Sequence, residues 1–169
     1  SQFGACAGIE ITASHNPINY NGMKIVKSKS QPLNTEADFK PIKRLAEKGC
    51  FSSVNIRGEE ANKSVEARLA YIGRVLSFAD VKGFRPLKIV VNSGNGAAGP
   101  TFDAIAKNLA SLNVPLEFIR INHIPDHTFP NGIPNPLLSK NHHATSKVVK
   151  EVGGDFGIAF DGDFDRCFF

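Results

Sequence analysis

The sequence predicts an α/β protein in which a mixed or parallel sheet is sandwiched by helices. Strand and helix patterns alternate from residue 87 to the end of the chain, which is typical of parallel βαβ units. The segment "LKIVVN" (87–92) is an apolar run between turn signals, as expected of a strand buried on both faces. A helical apolar spacing over residues 59–79 separates this region from a smaller N-terminal part.

The N-terminal part contains two strand patterns and one short helix pattern. "GIEIT" (8–12) and "MKIVKS" (23–28) predict strands, and "SQPLN" (30–34) predicts a turn. Thr35, with Asp38 three residues later, resembles a capping box and predicts the start of a helix. Gly49 is placed to end that helix.

The C-terminal part contributes two more helices and two more strands before a last strand begins. Residues 101–110 predict a helix, "LEFIRIN" (116–122) a strand, and 139–153 a helix with Ser139 as its N-cap. Residues 155–169 predict a strand, an acidic turn and the start of another strand. The segment 123–139 has four prolines and no periodicity, so we expect a functional loop or one that wraps a neighbour.

Composition excludes several classes of function. The net charge is only +4, and the basic residues are scattered rather than grouped with aromatic residues, so nucleic-acid binding is not expected. No long apolar run and no signal-peptide pattern occurs, which predicts a cytoplasmic protein with no membrane partner. Cys6, Cys50 and Cys167 lack metal-binding spacing and are expected to be reduced thiols. The chain begins without Met and stops in an apolar run, so we expect an internal fragment of a larger enzyme.

The acidic turn "DGDFDR" (161–166) is the strongest chemical motif in the chain. Asp161, Asp163 and Asp165 follow an apolar strand, and carboxylates so close together repel one another unless a cation lies among them. Oxygen ligands favour a hard divalent metal such as Mg²⁺. Arg166 suits phosphoryl oxygens, although neutralisation of the acidic turn explains it about as well. An EF-hand begins with similar spacing, but it needs glycine at its sixth position, where this chain has Arg166. A glycosyltransferase-like DxD site stays open.

Other polar clusters carry weaker signals. "SGNGAAG" (93–99) lacks the spacing of a phosphate-binding loop, and its glycines are better explained by a tight turn into a helix. His142 and His143 are expected on a solvated helix face. For His123 and His127, in the proline-rich loop, the sequence indicates no specific role.

Ser14 and His15 first suggest a serine hydrolase. The flanking glycines of a nucleophile elbow are absent, and a histidine adjacent in sequence is poorly placed to activate its neighbour. A serine that carries a phosphoryl group instead needs a metal, hydrogen-bond donors and an acid/base. Asn16, His15 and Lys24 could provide the last two, and the three aspartates could hold the metal.

The segments "TASHNPINYNGMK" (12–24) and "DGDFDR" together resemble the α-D-phosphohexomutase superfamily, and within it the bacterial phosphomannomutase/phosphoglucomutase group. "NSGNGAAG" (92–99) and "FPNGIPNPL" (129–137) are similar to segments of that group's second domain. The resemblance implies that Ser14 is the phosphoserine and that its phosphate completes a Mg²⁺ shell. The remaining ligands in that shell would be Asp161, Asp163 and Asp165.

The same resemblance implies roles for the remaining candidates. Lys24 matches a position for a general acid/base, His15 and Asn16 lie against the reacting groups, and Arg166 contacts the phosphoserine. The implied reaction interconverts mannose 6-phosphate and mannose 1-phosphate, with the glucose phosphates as a further pair, through a hexose 1,6-bisphosphate.

The resemblance also divides the chain. Residues 1–58 correspond to the end of a first domain, 59–83 to a connecting helix or linker, and 84–169 to most of a second domain. Third and fourth domains of the same chain would be missing partners, so we expect the fragment alone to be inactive as a mutase. The alternatives are a metal-dependent phosphatase or glycosyltransferase and a non-catalytic anion-binding fragment.

Overall fold

The computed structural model describes residues 2–49, 51 and 58–169. The chain forms two compact units. The first comprises residues 1–11 and 23–67, and the second comprises residues 12–22 and 68–169. The loop between the first two strands therefore belongs to the second unit, although both of those strands belong to the first.

The first unit contains a three-stranded antiparallel sheet in the order β1-β2-β3. Its strands are β1 (Ala7–Ile11), β2 (Met23–Lys27) and β3 (Gln31–Pro32). The two predicted strands are confirmed, but the predicted turn at 30–34 is wrong for Gln31 and Pro32, which pair with β2. Because β3 is an edge strand, a proline is tolerated there without a lost ladder hydrogen bond.

Two helices follow along the chain, α1 (Lys40–Lys48) and α2 (Ser64–Leu76). Gly49 ends α1 with a left-handed φ of 61°, as predicted. The helix expected over 59–79 is shorter, and the boundary between the two units falls within it.

The predicted cap of the first helix is wrong. Asn34, not Thr35, is the cap, because its side-chain oxygen accepts hydrogen bonds from the backbone N–H groups of Glu36 and Ala37, each at 2.9 Å. The helix begins with a π-helical turn over Thr35–Phe39, which continues directly into α1. The asparagine amide satisfies two of the free donors at the helix start, which a threonine one residue later does not.

The second unit contains a four-stranded mixed sheet in the order β5-β4-β6-β7. The central strand β4 (Leu87–Asn92) is parallel to both β5 (Leu116–Ile121) and β6 (Phe156–Phe160). The short β7 (Cys167–Phe168) is antiparallel to β6. The predicted mixed α/β sheet is confirmed.

Helices cover both faces of this sheet. Phe102 of α3 (Ala98–Ser111) packs with Ile89 and Val91 on one face. On the other face, Thr145 of α4 (His142–Val152) lies against Gly157 of β6. The helix α3 begins three residues before the predicted start at 101.

The predicted N-cap of α4 is also wrong. Ser139 begins a 3₁₀ turn over Ser139–Asn141, and its backbone carbonyl accepts from the N–H of His142. The side chain of Asn141 donates to the carbonyl of Asn135 at 2.9 Å. The proline-rich loop thus binds the start of α4, and the helix begins three residues later than predicted.

The topology gathers loops at one edge of the sheet. The parallel strands β4 and β6 end at Asn92 and Phe160, and the next residues are Ser93 and Asp161. In parallel α/β sheets, ligands bind beyond the carboxyl ends of the strands. No helix among the described residues is long and apolar enough to cross a membrane.

Candidate functional site

Two loops of the second unit, 12–22 and 161–166, meet at this edge. The hydroxyl of Ser14 lies 3.2 Å from Asp163 Oδ1 and 2.9 Å from Arg166 Nη2. The serine and the acidic turn, separated by about 150 positions in the sequence, form one cluster. The residues that the sequence combined on chemical grounds are therefore in contact.

The three aspartates form a compact set of oxygen donors. Asp161 follows β6 directly and is fully buried, Asp163 is half-buried and Asp165 is exposed. One carboxylate oxygen from each lies within 4.8 Å of the others. Burial, opposed by hydrogen bonds from Arg166, raises the pKa of Asp161 above its ordinary value. An all-oxygen set of this kind fits Mg²⁺ or another hard divalent cation.

Phe164 holds the acidic turn in shape. Its backbone has a left-handed φ of 66°, which is rare for a large residue. Its ring packs edge-on against Phe160 at 4.9 Å and near Tyr71 at 6.3 Å between centroids. These ring contacts help maintain a conformation that the backbone alone disfavours.

Arg166 connects the two loops. Its Nε donates to Asp161 Oδ2 at 2.8 Å and to Asp165 Oδ1 at 3.2 Å. Its Nη2 lies 2.6 Å from Asp161 Oδ2 and 2.6 Å from His15 Nδ1. Burial by itself lowers the pKa of Arg166, but Asp161 and Asp165 outweigh this effect and raise it. The guanidinium is a fixed cation beside the Ser14 hydroxyl.

His15 is poorly available as a base for Ser14. Its Nδ1 lies 3.1 Å from the serine hydroxyl but only 2.6 Å from Arg166 Nη2. An arginine only donates hydrogen bonds, so the Nδ1 lone pair faces the guanidinium and the ring proton belongs on Nε2. This geometry disfavours the serine hydrolase interpretation, as the sequence already indicated.

The backbone at Ser14 is strained. Its φ of 54° is left-handed, a conformation that costs a non-glycine residue about 1–3 kcal/mol and persists only where the surroundings impose it. The N–H of Ser14 donates to Thr12 Oγ1 at 2.8 Å. The same hydroxyl donates to Asp163 Oδ2 at 2.9 Å. The sequence did not single out Thr12, although its position two residues before the serine is typical of a turn-forming hydroxyl.

Two glycines let three backbone segments stack at the site. A Cβ on Gly162 would lie 2.6 Å from the carbonyl oxygen of Ser14, and a Cβ on Gly96 would lie 2.6 Å from the carbonyl oxygen of Gly162. The N–H of Ala97, at the start of α3, donates to that Gly162 carbonyl at 3.0 Å. The sequence explained the glycines after β4 by a tight turn. In the structure, this turn also contacts the acidic turn and donates a backbone hydrogen bond to it.

Two further candidates, Asn16 and Lys24, do not take part in the side-chain contacts described above. Asn16 is exposed, and its backbone N–H closes a turn onto Ala13. Lys24 lies in β2 opposite Glu10, in the first unit. Its role as an acid/base stays a prediction.

The histidines outside the motif contribute to the fold. His123 binds Ser93 at 3.1 Å and Asp103 at 2.9 Å, a role that the sequence did not reveal. His142 is exposed, as expected, and its Nε2 lies 2.7 Å from the carbonyl oxygen of Pro136. Cys6 and Cys167 are free thiols, and Cys50 lies outside the described residues.

Comparison with known proteins identifies the family of this chain. The model of the phosphoglucomutase/phosphomannomutase α/β/α domain II matches residues 69–169, and that of domain I matches residues 1–52. The chain belongs to the phosphoglucomutase/phosphomannomutase family. The predicted domain boundaries at 58 and 83 stay a prediction.

Several curated relatives of this family member are phosphomannomutases. A phosphomannomutase of Salmonella montevideo is 52% identical over 165 residues, which cover 98% of this chain and 36% of that protein. One from Vibrio cholerae is 47% identical over 98% of this chain and 35% of its own length. The chain thus spans about a third of the length of these relatives.

Solved structures share the fold. A phosphoglucomutase/phosphomannomutase family protein from Burkholderia thailandensis matches with a TM-score of 0.77 and 30% identity, over 95% of this chain and 32% of that one. The N-acetylphosphoglucosamine mutase of Aspergillus fumigatus, solved with GlcNAc-6P and magnesium, matches with a TM-score of 0.60 over 98% of this chain and 43% of that one. At 16% identity, the second match shows the fold alone.

Proposed function

We propose that this chain is the phosphoserine and metal-binding part of a phosphohexomutase. Its reaction would interconvert mannose 6-phosphate and mannose 1-phosphate, with glucose phosphates as a second pair to test. The observation that carries the proposal is the position of the Ser14 hydroxyl between the Arg166 guanidinium and the Asp163 carboxylate, at 2.9 and 3.2 Å. Family membership and the phosphomannomutase relatives support the choice of reaction.

The arginine suits a phosphoryl group on Ser14. Arg166 Nη2 has two N–H donors but lies within hydrogen-bond distance of three acceptors, on Ser14, His15 and Asp161. It cannot donate a well-aligned hydrogen bond to all three at once. A phosphoryl group on Ser14 would accept hydrogen bonds from the Arg166 guanidinium, and such charge-assisted hydrogen bonds are strong. The arginine would then stabilise the group both at rest and during transfer.

The carboxylates suit a divalent cation next to that phosphoryl group. Asp161, Asp163 and Asp165 would hold Mg²⁺, with one phosphoryl oxygen as a further ligand. When bound, this ion neutralises charge on the phosphoryl oxygens during transfer. The three aspartates provide the negative charge that keeps the cation beside Ser14.

The transfer itself exchanges one phosphoryl group and one proton. The bond between phosphorus and Ser14 Oγ breaks while a sugar hydroxyl oxygen bonds to phosphorus. That hydroxyl loses its proton to a base, and the leaving Ser14 Oγ gains a proton. In the return transfer, the other phosphate of the hexose bisphosphate moves to Ser14 Oγ, which restores the phosphoserine and leaves the isomeric monophosphate. We propose Lys24 as the acid/base, and His15 and Asn16 as neighbours of the reacting groups.

Further domains of the full-length protein, outside these 169 residues, would complete the enzyme. The relatives are about three times as long as the matched segment, which covers 36% of the Salmonella protein. We propose that third and fourth domains of the same chain select the sugar and hold its other phosphate. Preference between mannose and glucose would then depend on those domains.

The test is a mutase assay of the full-length protein with mannose 1-phosphate and catalytic hexose 1,6-bisphosphate. We expect Mg²⁺-dependent formation of mannose 6-phosphate, and its loss by at least about a thousandfold in Ser14→Ala, because the nucleophile is removed. Ser111→Ala is the control, since that hydroxyl only donates to the carbonyl of Asn108. Release of inorganic phosphate without isomerisation would instead identify a phosphatase.

A further inference from the structure

Thr12 has one hydroxyl that joins the two loops of the site. Its oxygen accepts the N–H of Ser14 at 2.8 Å, and its hydrogen is donated to Asp163 Oδ2 at 2.9 Å. A hydroxyl has only one hydrogen, and a backbone N–H always donates. The direction of both bonds is therefore fixed, and the Thr12 hydrogen must point to the carboxylate.

The two oxygens of Asp163 are thereby divided between two residues. Oδ2 accepts from Thr12, and Oδ1 accepts from the Ser14 hydroxyl at 3.2 Å. Both donors belong to the same loop, so the carboxylate plane is oriented by that loop. A carboxylate with a fixed orientation presents the same lone pairs to a cation in every molecule, as do ligand carboxylates in metal sites generally.

The base of the loop holds Thr12 itself in place. Its N–H donates to the carbonyl of Gly22 at 3.0 Å, which closes the loop 12–22. The side chain is half-buried, and a β-branched residue has few χ1 rotamers. The hydroxyl is thus held in the position from which it accepts the Ser14 N–H.

We infer that Thr12 is a positioning residue that locks the left-handed backbone of Ser14 and orients Asp163 at the same time. The role toward the metal rests on the proposed function, whereas the role toward the Ser14 backbone does not. Removal of the hydroxyl leaves the Ser14 N–H without this acceptor and removes the hydrogen bond from Thr12 to Asp163 Oδ2. Removal of the methyl group alone leaves both bonds possible.

Three variants separate the hydroxyl from general effects on folding. Thr12→Val keeps the shape and loses both bonds, and Thr12→Ser keeps the hydroxyl. Thr128→Val is the matched control, because it removes a Thr-to-Asp hydrogen bond at Asp126, outside the site. Thermal unfolding followed by circular dichroism reports whether each variant folds.

The first readout is hydrogen exchange at the Ser14 amide, measured by NMR on this chain. We expect exchange in Thr12→Val to be faster by on the order of tenfold, the factor for loss of one hydrogen bond. Thr12→Ser and Thr128→Val should match the parent. An unchanged Ser14 amide in a folded Thr12→Val protein would overturn the inference, whatever the protein's activity.

The second readout is Mg²⁺ affinity by calorimetry, together with kcat and KM of the full-length protein. We expect Thr12→Val to weaken Mg²⁺ binding and lower kcat by about 10–100-fold each, as second-sphere changes do, with little change in KM. Thr12→Ser should restore most of both. Equal defects in the Val and Ser variants would overturn the inference, whereas a parent without mutase activity would refute only the proposed function.

Discussion

Arg166 is the residue that hydrogen-bonds to both loops of the site. Its guanidinium contacts Asp161 and Asp165 within its own turn, and Ser14 and His15 in the other loop. In the sequence, neutralisation of the acidic turn and contact with a phosphoryl group explain Arg166 about equally well. The contacts with the acidic turn and with the Ser14 hydroxyl are both present, and the planar, forked guanidinium can make them together where a lysine cannot. Contact with a phosphoryl group stays a prediction.

Replacement of Arg166 by lysine tests this dual contact. We expect kcat of the full-length protein to fall by about a hundredfold or more, because a donor to the transferring group is lost, while KM changes little. Arg120→Lys is the control, since Arg120 pairs with Asp103 outside the site. A Lys variant with the parent's kcat would contradict the assigned role.

Asp103 gives a prediction for pH dependence away from the site. Hydrogen bonds from His123 and Arg120 lower the pKa of Asp103 in the folded chain, so folding favours the ionised carboxylate. The resulting stabilisation is present above the unfolded pKa of about 3.9 and is lost as pH falls through the lower folded value. Asp103→Asn should therefore destabilise the protein at about pH 6 and progressively less below about pH 4.

Urea unfolding of the parent and Asp103→Asn at several pH values measures this difference. Glu151→Gln, which also removes one exposed carboxylate, controls for the change in net charge. A destabilisation by Asp103→Asn that does not shrink toward low pH would contradict the assignment.

At the scale of elements, apolar runs predicted the strands well and capping residues predicted helix starts poorly. The runs at 87–92 and 116–122 became β4 and β5 because burial on a sheet face depends on the run itself. Helix starts depend on which side chain reaches the free N–H groups. Such local competition determines that Asn34 rather than Thr35 caps the first helix. It also determines that Ser139 begins a 3₁₀ turn rather than capping α4.

Alanine substitutions at two glycines should change the free energy of unfolding in opposite directions. Gly96 lies in the turn after β4, and Gly73 lies in α2. Gly96→Ala should destabilise the protein by about 1–3 kcal/mol, because the new Cβ would collide with the Gly162 carbonyl. Gly73→Ala, on α2 with open space around it, should stabilise by about 0.5–1 kcal/mol.

Denaturant unfolding gives both free energies, and calorimetry gives Mg²⁺ affinity. We expect Gly96→Ala alone to weaken Mg²⁺ binding, by about tenfold, since displacement of Gly162 moves the ligands beside it. Equal metal affinity in the two variants would show that the glycine turn does not position the acidic turn.

At the scale of the whole molecule, the site joins residues that are far apart in the sequence. The hydrogen bond from Thr12 to Asp163 spans 151 positions, and no local pattern reveals such a pair. The sequence indicated the pairing of Ser14 with the acidic turn through chemistry, because clustered carboxylates need a cation and a phosphoserine needs a metal, and through the resemblance of both motifs to one family. Thr12, Phe164 and Gly96 went unnoticed since their roles depend on backbone conformation and close contact.

The length of the relatives leads to a prediction for the isolated chain. It should bind Mg²⁺ through the acidic turn but should not sustain the conversion of mannose 1-phosphate, because under the proposed function the groups for the sugar and its second phosphate lie outside these residues. A coupled assay for mannose 6-phosphate, with the full-length protein as positive control, measures this. Sustained turnover by the 169-residue chain would show that those groups are dispensable.

The central claim is that Ser14 carries the phosphoryl group opposite the aspartates. The most direct measurement is mass spectrometry of the full-length protein and its peptides after incubation with a hexose 1,6-bisphosphate and Mg²⁺. We predict one phosphoryl group on the peptide that contains Ser14, lost again when excess mannose 6-phosphate accepts it. An active protein with no phosphoryl group on Ser14, or with one on another residue instead, would contradict the claim.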